Sequence, residues 1–251
     1  MEKHLQPHPV TFASGDGTAE LHGLWHLPAQ RATNGALLVL HGSSYTKEAE
    51  LNQWLAEGAA QLGLTALRFD FRYVRHNQKS QADLATELDD LVGAYNFLQS
   101  FGKEIKPKRL YLVGESLGAM VVTKAASGPL GEAVKGVAAL GLPLHTVDGK
   151  NWFNYTALQK LVCPVLFVVG ERDNFGNPQE LQPLFNSLSV PKELQVITQA
   201  GHSYEPIIEA GEPELGEVVK KEQQWHNQRR VADTVLEWLE RQNVIRKDLR
   251  K

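Results

Sequence analysis

The 251-residue chain has one cysteine, Cys163, and two methionines. A single thiol excludes a disulfide framework and a cysteine metal cluster. Cys163 stands just before Pro164 and the run Val165 to Val169, so it reads as a small core residue. No stretch approaches the roughly 20 apolar residues of a membrane span, and the first residues, MEKHLQPHPV, hold no apolar signal region. These absences predict a soluble, cytoplasmic protein without a membrane span. Excess positive charge is missing too: 26 Lys and Arg against 29 Asp and Glu leave a net charge of −3. Nucleic-acid binding, which needs a basic face, is not expected. The basic cluster Arg246, Lys247, Arg250 and Lys251 reads as a solvated end.

With 42% hydrophobic residues, the chain can bury one large core, and a single domain over 1–251 is expected. Val10 to Ala13 and Leu21 to Leu27, joined by Ser14-Gly15-Asp16-Gly17-Thr18, predict an N-terminal β-hairpin at about 8–28. From Ala36 the pattern changes to continuous apolar runs of strand length: Ala36 to Leu40, Thr65 to Phe69, Leu110 to Val113, Val137 to Leu142, Pro164 to Gly170 and Glu193 to Ile197. Between them lie helical stretches at about 47–62, 80–101, from Ala119, and at about 224–241. The second carries Leu84, Leu88, Leu91, Tyr95 and Leu98 on one face, with Ser80 or Gln81 near its start. The last carries Val231, Val235, Trp238 and Leu239. Such alternation predicts an α/β fold whose mostly parallel sheet is wrapped on both faces. The stretch 145–161 is too short for a large lid domain, and 204–222, YEPIIEAGEPELGEVVKKE, reads as an acidic loop insertion.

Within Arg109 to Ala126 the sequence Gly114-Glu115-Ser116-Leu117-Gly118 sits between a strand and a helix. G-x-S-x-G in that setting forces a sharp turn which exposes the serine hydroxyl at a helix N-terminus. A neutral hydroxyl attacks poorly, so Ser116 needs a base, and the base needs an orienting acid. Ligands of open α/β sheets gather at the carboxyl ends of the strands, and Ser43, Ser116, Asp173 and His202 all follow strand ends. The order Ser116, Asp173, His202 assigns nucleophile, acid and base. Glu171 and Asp148 are the alternative acids, and His145, just past Pro143, is expected to be a surface imidazole. The N–H groups of Leu117 and Ser43 are the expected oxyanion donors, with His41 as a structural hydrogen-bonding residue.

Through LVLHGSS, RFDFR, LVGESLGAMVV, VVGERD and AGHSY the chain resembles the α/β-hydrolase superfamily over nearly its whole length. More narrowly it is similar to the dienelactone-hydrolase-like group and its branch of testis-expressed and NSL-complex hydrolase-like proteins, in which segments like GLPLH and GERDNFGNPQEL recur. The resemblance implies an eight-stranded sheet, the Ser116–Asp173–His202 triad, and no metal or organic cofactor. Two departures stand out. Dienelactone hydrolase has a cysteine nucleophile where this chain has Ser116. The D-x-R-G-x-G loop of many members is here Asp70-Phe71-Arg72-Tyr73-Val74-Arg75, without its glycines. The expected activity is hydrolysis of small esters, thioesters or related acyl compounds. A catalytically idle scaffold, and an acyltransferase or perhydrolase using the same triad, are the alternatives.

Overall fold

The computed structural model describes residues 6–28, 34–75, 80, 83–100, 106–208, 211 and 215–248. Gln81, Arg250 and Lys251, named above, and residue 101, the expected end of the second helix, lie outside them. Eight strands form one sheet: β1 (His8–Ala13), β2 (Glu20–His26), β3 (Gly35–Leu40), β4 (Thr65–Phe69), β5 (Arg109–Glu115), β6 (Val134–Leu140), β7 (Val165–Gly170) and β8 (Lys192–Ile197). Their spatial order is β1-β2-β4-β3-β5-β6-β7-β8. The hairpin β1–β2 and the β2–β4 pair are antiparallel, and every later pair is parallel.

Alternate strand residues face opposite sides, and the core divides accordingly. Leu38, Leu40, Leu110 and Leu112 join one apolar cluster with α3 (Ala85–Gln99) and α4 (Leu117–Ala126). Leu37, Val39, Tyr111 and Val113 join the other with α1 (Glu50–Gln61) and α6 (Glu217–Asp248). The remaining helices are α2 (Arg72–Arg75) and α5 (Pro178–Ser187). No helix among the described residues is long and apolar enough to cross a membrane.

Several boundaries differ from the expectation. Helix α3 begins at Ala85, because Leu84 takes a left-handed conformation (φ 58°) and the Asp83 carboxylate accepts the Ala85 N–H instead of a cap at Ser80. Helix α6 begins at Glu217, so 217–222 of the expected acidic loop is helical. Its first turns carry little apolar periodicity. They dock through Trp225, whose ring meets Trp54 of α1 edge-on at 5.2 Å. The glycine-less stretch after β4 forms the turn of helix α2, which buries Tyr73.

The chain runs from β3 out to β4 and then back across β3 to β5. That reversal opens a crevice at the carboxyl ends of β3 and β5. The loop starting at His41 enters it from one side, and Ser116 from the other.

Candidate active site

Ser116 ends β5 and precedes α4 with φ 53° and ψ −114°, a conformation an L-residue holds only where its surroundings impose it. The glycines on either side make this turn possible. A Cβ on Gly114 would collide with the Gly118 carbonyl group, and one on Gly118 with the Leu40 carbonyl oxygen. Helix α4 therefore packs directly on the ends of β5 and β3. The Leu117 N–H lies in its first turn, where helical N–H groups have no carbonyl of their own helix to meet.

Asp173 follows β7 and His202 follows β8. His202 Nε2 stands 2.8 Å from Ser116 Oγ, and its Nδ1 lies 2.9 Å from each Asp173 carboxylate oxygen. Asp173 is buried, and its Oδ1 also accepts the Phe175 N–H at 2.8 Å. Neither alternative acid takes this place. Glu171 accepts the Gln199 N–H, and Asp148 accepts from Thr146 and Lys150 in an exposed loop. The Phe175 ring lies against the His202 imidazole at 4.4 Å.

Ser43 leaves β3 in the loop that His41 organises. His41 is fully buried; its Nδ1 lies 2.8 Å from the Gly42 carbonyl oxygen and its Nε2 3.3 Å from the Phe71 nitrogen. A backbone N–H only donates and a carbonyl only accepts, so the proton sits on Nδ1 and the ring is neutral. Burial lowers the basicity of this imidazole and favours the same state. The Gly42 oxygen accepts a second bond from the Tyr45 N–H at 3.1 Å. In a trans peptide the next N–H points opposite to the carbonyl. Anchoring the Gly42 oxygen thus turns the Ser43 N–H away from the His41 ring, and Ser43 itself lines the cleft. Farther along, Asp70 accepts both the backbone N–H and the ammonium of Lys47, at 2.7 and 2.6 Å.

A cleft of about 680 Å³ opens over Ser116 and His202 and is lined also by Ser43, Leu117, Phe153 and Glu205. Residues 143–153 form part of its rim without a lid domain. His145 departs from expectation here: it is buried, bridges to Trp152, and places its Nε2 3.4 Å from Glu180 of α5. Trp152 covers the ring at 4.7 Å, and donation from Nδ1 to the Thr146 carbonyl raises the basicity of the imidazole.

Sequence reasoning missed the supports of the His202 loop. Gln224 and Gln228 both donate to the Ser203 carbonyl, at 3.0 and 3.2 Å, and Asn227 donates to the Tyr204 carbonyl at 3.0 Å. Three amides on one face of α6, spaced i, i+3 and i+4, were the available signal. Glu115 was also missed. It is buried beside Ser116, and burial pushes its carboxyl up to about 7. Its Oε1 has no hydrogen-bond partner.

Residues 33–228 match the family model of the alpha/beta hydrolase domain. Solved structures share the architecture. A serine hydrolase without a lid from Xanthomonas campestris aligns at a TM-score of 0.68 and 18% identity, over 93% of this chain and 95% of that one. Dienelactone hydrolase of Anabaena variabilis gives 0.65 and 22%, over 93% and 97%. An esterase of Pyrococcus furiosus gives 0.69 and 19%, over 94% and 91%. At such identities the likeness is one of fold. The family match across 33–228, carried on an eight-stranded, mostly parallel sheet, shows that the chain belongs to the α/β-hydrolase family.

Proposed function

We propose that the protein is a serine hydrolase of small ester, thioester or related acyl substrates. The observation that carries this reading is the continuous series of contacts from Asp173 through His202 to Ser116, each within hydrogen-bond distance. In this reading His202 Nε2 takes the Ser116 proton as Oγ attacks the carbonyl carbon, then delivers it to the leaving group. Asp173 keeps the second proton on Nδ1, which leaves Nε2 free to act as base, and stabilises the imidazolium that forms. The Ser43 and Leu117 N–H groups receive the oxyanion, each such donor being worth about 3 to 4 kcal/mol in the transition state. Water then repeats the sequence on the acyl-enzyme and frees Ser116.

Supporting the assignment, the cleft opens directly over Ser116 and His202, and the turn strain at Ser116 is of the kind found at nucleophile turns. The decisive experiment is reaction of the purified protein with a fluorophosphonate probe, followed by mass spectrometry of the labelled peptide. Labelling at Ser116, absent in Ser116→Ala, is the expected result. A folded protein that takes no label would sink the hydrolase reading and favour an idle scaffold.

A further inference from the structure

The lining of the cleft is mixed: Leu84, Leu117, Met120, Val147 and Phe153 are apolar, and Ser44, Tyr45, Ser203 and Glu205 are polar. The leaving group must take its proton from His202 Nε2, and Ser203 and Glu205 are the polar lining residues that directly follow His202 in the chain. With the leaving group beside them, the acyl group meets the apolar side chains.

Resting on the hydrolase reading above, we propose that the substrate joins an apolar acyl chain to a cationic leaving group, an alkylammonium alcohol or thiol, and that Glu205 is the residue that selects the charge. The Glu205 carboxylate is held in place: its Oε2 accepts the Ser203 N–H at 2.8 Å, and its backbone oxygen accepts the Gly201 N–H at 2.8 Å. A carboxylate fixed before binding loses little freedom when a cation meets it. The rings of Tyr45 and Phe175 line the same cleft, and aromatic faces attract ammonium groups. No lysine or arginine is among the described residues of the lining, so nothing there neutralises Glu205. Behind it, the Glu115 carboxyl is buried with an unpartnered oxygen. Burial raises that carboxyl to about 7, with the Glu205 charge adding to the effect, so the charge that a cation would meet in the cleft is that of Glu205.

The test compares hexanoylcholine with 3,3-dimethylbutyl hexanoate, which has carbon in place of the quaternary nitrogen and nearly the same shape. The wild-type protein should show kcat/KM at least about tenfold higher for the cationic ester at low ionic strength, and the ratio should fall as salt screens the pair. Glu205→Gln retains an acceptor for the Ser203 N–H while removing the charge, and should bring the ratio to within about twofold of one. A wild-type ratio at or below one, with both esters cleaved, overturns the inference but leaves the hydrolase reading standing. So does a ratio that Glu205→Gln leaves unchanged. If p-nitrophenyl hexanoate is cleaved and neither member of the pair is, the leaving-group assignment is wrong. If none of the three is cleaved and Ser116 takes no fluorophosphonate, both readings fall.

Discussion

His41 Nδ1 donates to the Gly42 carbonyl oxygen at 2.8 Å while its Nε2 accepts the Phe71 N–H, and this fixes the direction of the Ser43 N–H. The imidazole is thus a strut between the β3 and β4 loops. Replacing it with alanine leaves the Phe71 N–H without its acceptor and the Gly42 oxygen held by the Tyr45 N–H alone, which loosens the Gly42–Ser43 peptide. His41→Ala should lower kcat by about 10- to 100-fold, since the Ser43 N–H, the proposed oxyanion donor, is misaimed and not removed. It should also cost about 1 to 3 kcal/mol of stability. Esterase kinetics and urea denaturation of the variant check the two halves; unchanged kcat would show that Ser43 does not depend on His41.

The contacts among Ser116, His202 and Asp173 predict strongly non-additive kinetics. Ser116→Ala and His202→Ala should each reduce kcat for p-nitrophenyl hexanoate by about 10⁴-fold or more, and the double variant should be no worse than either. Asp173→Asn should cost less than Ser116→Ala. An Asp173→Asn enzyme with full activity would mean that another acid orients His202.

Ser116 pays a conformational penalty that a glycine escapes, because its φ is 53°. At this site Ser116→Gly should therefore be more stable than Ser116→Ala by about 1 to 2 kcal/mol. That order is the opposite of the one in a helix interior. Thermal melts of the two inactive variants should differ by several degrees, at about 2 to 4 °C per kcal/mol for a chain of this size. Equal melting temperatures would remove strain from the account.

Glu115 gives a pH signature. Its carboxyl is raised from an ordinary 4.5 to about 7, chiefly by burial. Between those values the folded chain retains a proton that the unfolded chain has released. Stability must then fall as pH rises through that window, by about 3 kcal/mol in all. Glu115→Gln removes the titration. Denaturation curves at pH 5 and pH 8 should show the wild type losing about that amount relative to the variant; parallel curves would place the Glu115 carboxyl at an ordinary value.

The Ser203 carbonyl accepts from both Gln224 and Gln228, so each amide backs up the other. Gln224→Ala and Gln228→Ala should each lower kcat by less than about twofold, whereas the double variant should lose roughly tenfold as the His202 loop loosens. A double-mutant cycle on kcat measures the coupling, and simple additivity would argue against a shared role.

The strand ends were legible because each apolar run gives way to a turn that carries glycine: Gly42 after His41, Gly118 after Ser116, Gly201 before His202. Local rules of this kind put Ser43, Ser116, Asp173 and His202 just after strand ends, where the fold has them. Other features depend on approach between distant segments. His145 is buried because Trp152 pairs with it across a short loop and Glu180 arrives from α5. Leu84 turns left-handed one residue before α3, where the apolar spacing gave no warning. The early start of α6 is invisible to periodicity because its contacts there are amide hydrogen bonds and one aromatic pair. Glu115 has no motif; its raised carboxyl follows from burial that only the packed fold supplies.

Ser116, Asp173 and His202 follow β5, β7 and β8, and β6 lies between the first two. Half of the sheet must be correctly ordered before the three side chains can meet, and 86 residues of chain separate Ser116 from His202. Recovery of the proposed hydrolytic activity is therefore a stringent clock for refolding. Helical signal and tryptophan burial will return as the chain collapses, but activity will return only with the last strand, β8, so the lag between these readings times the docking of that edge.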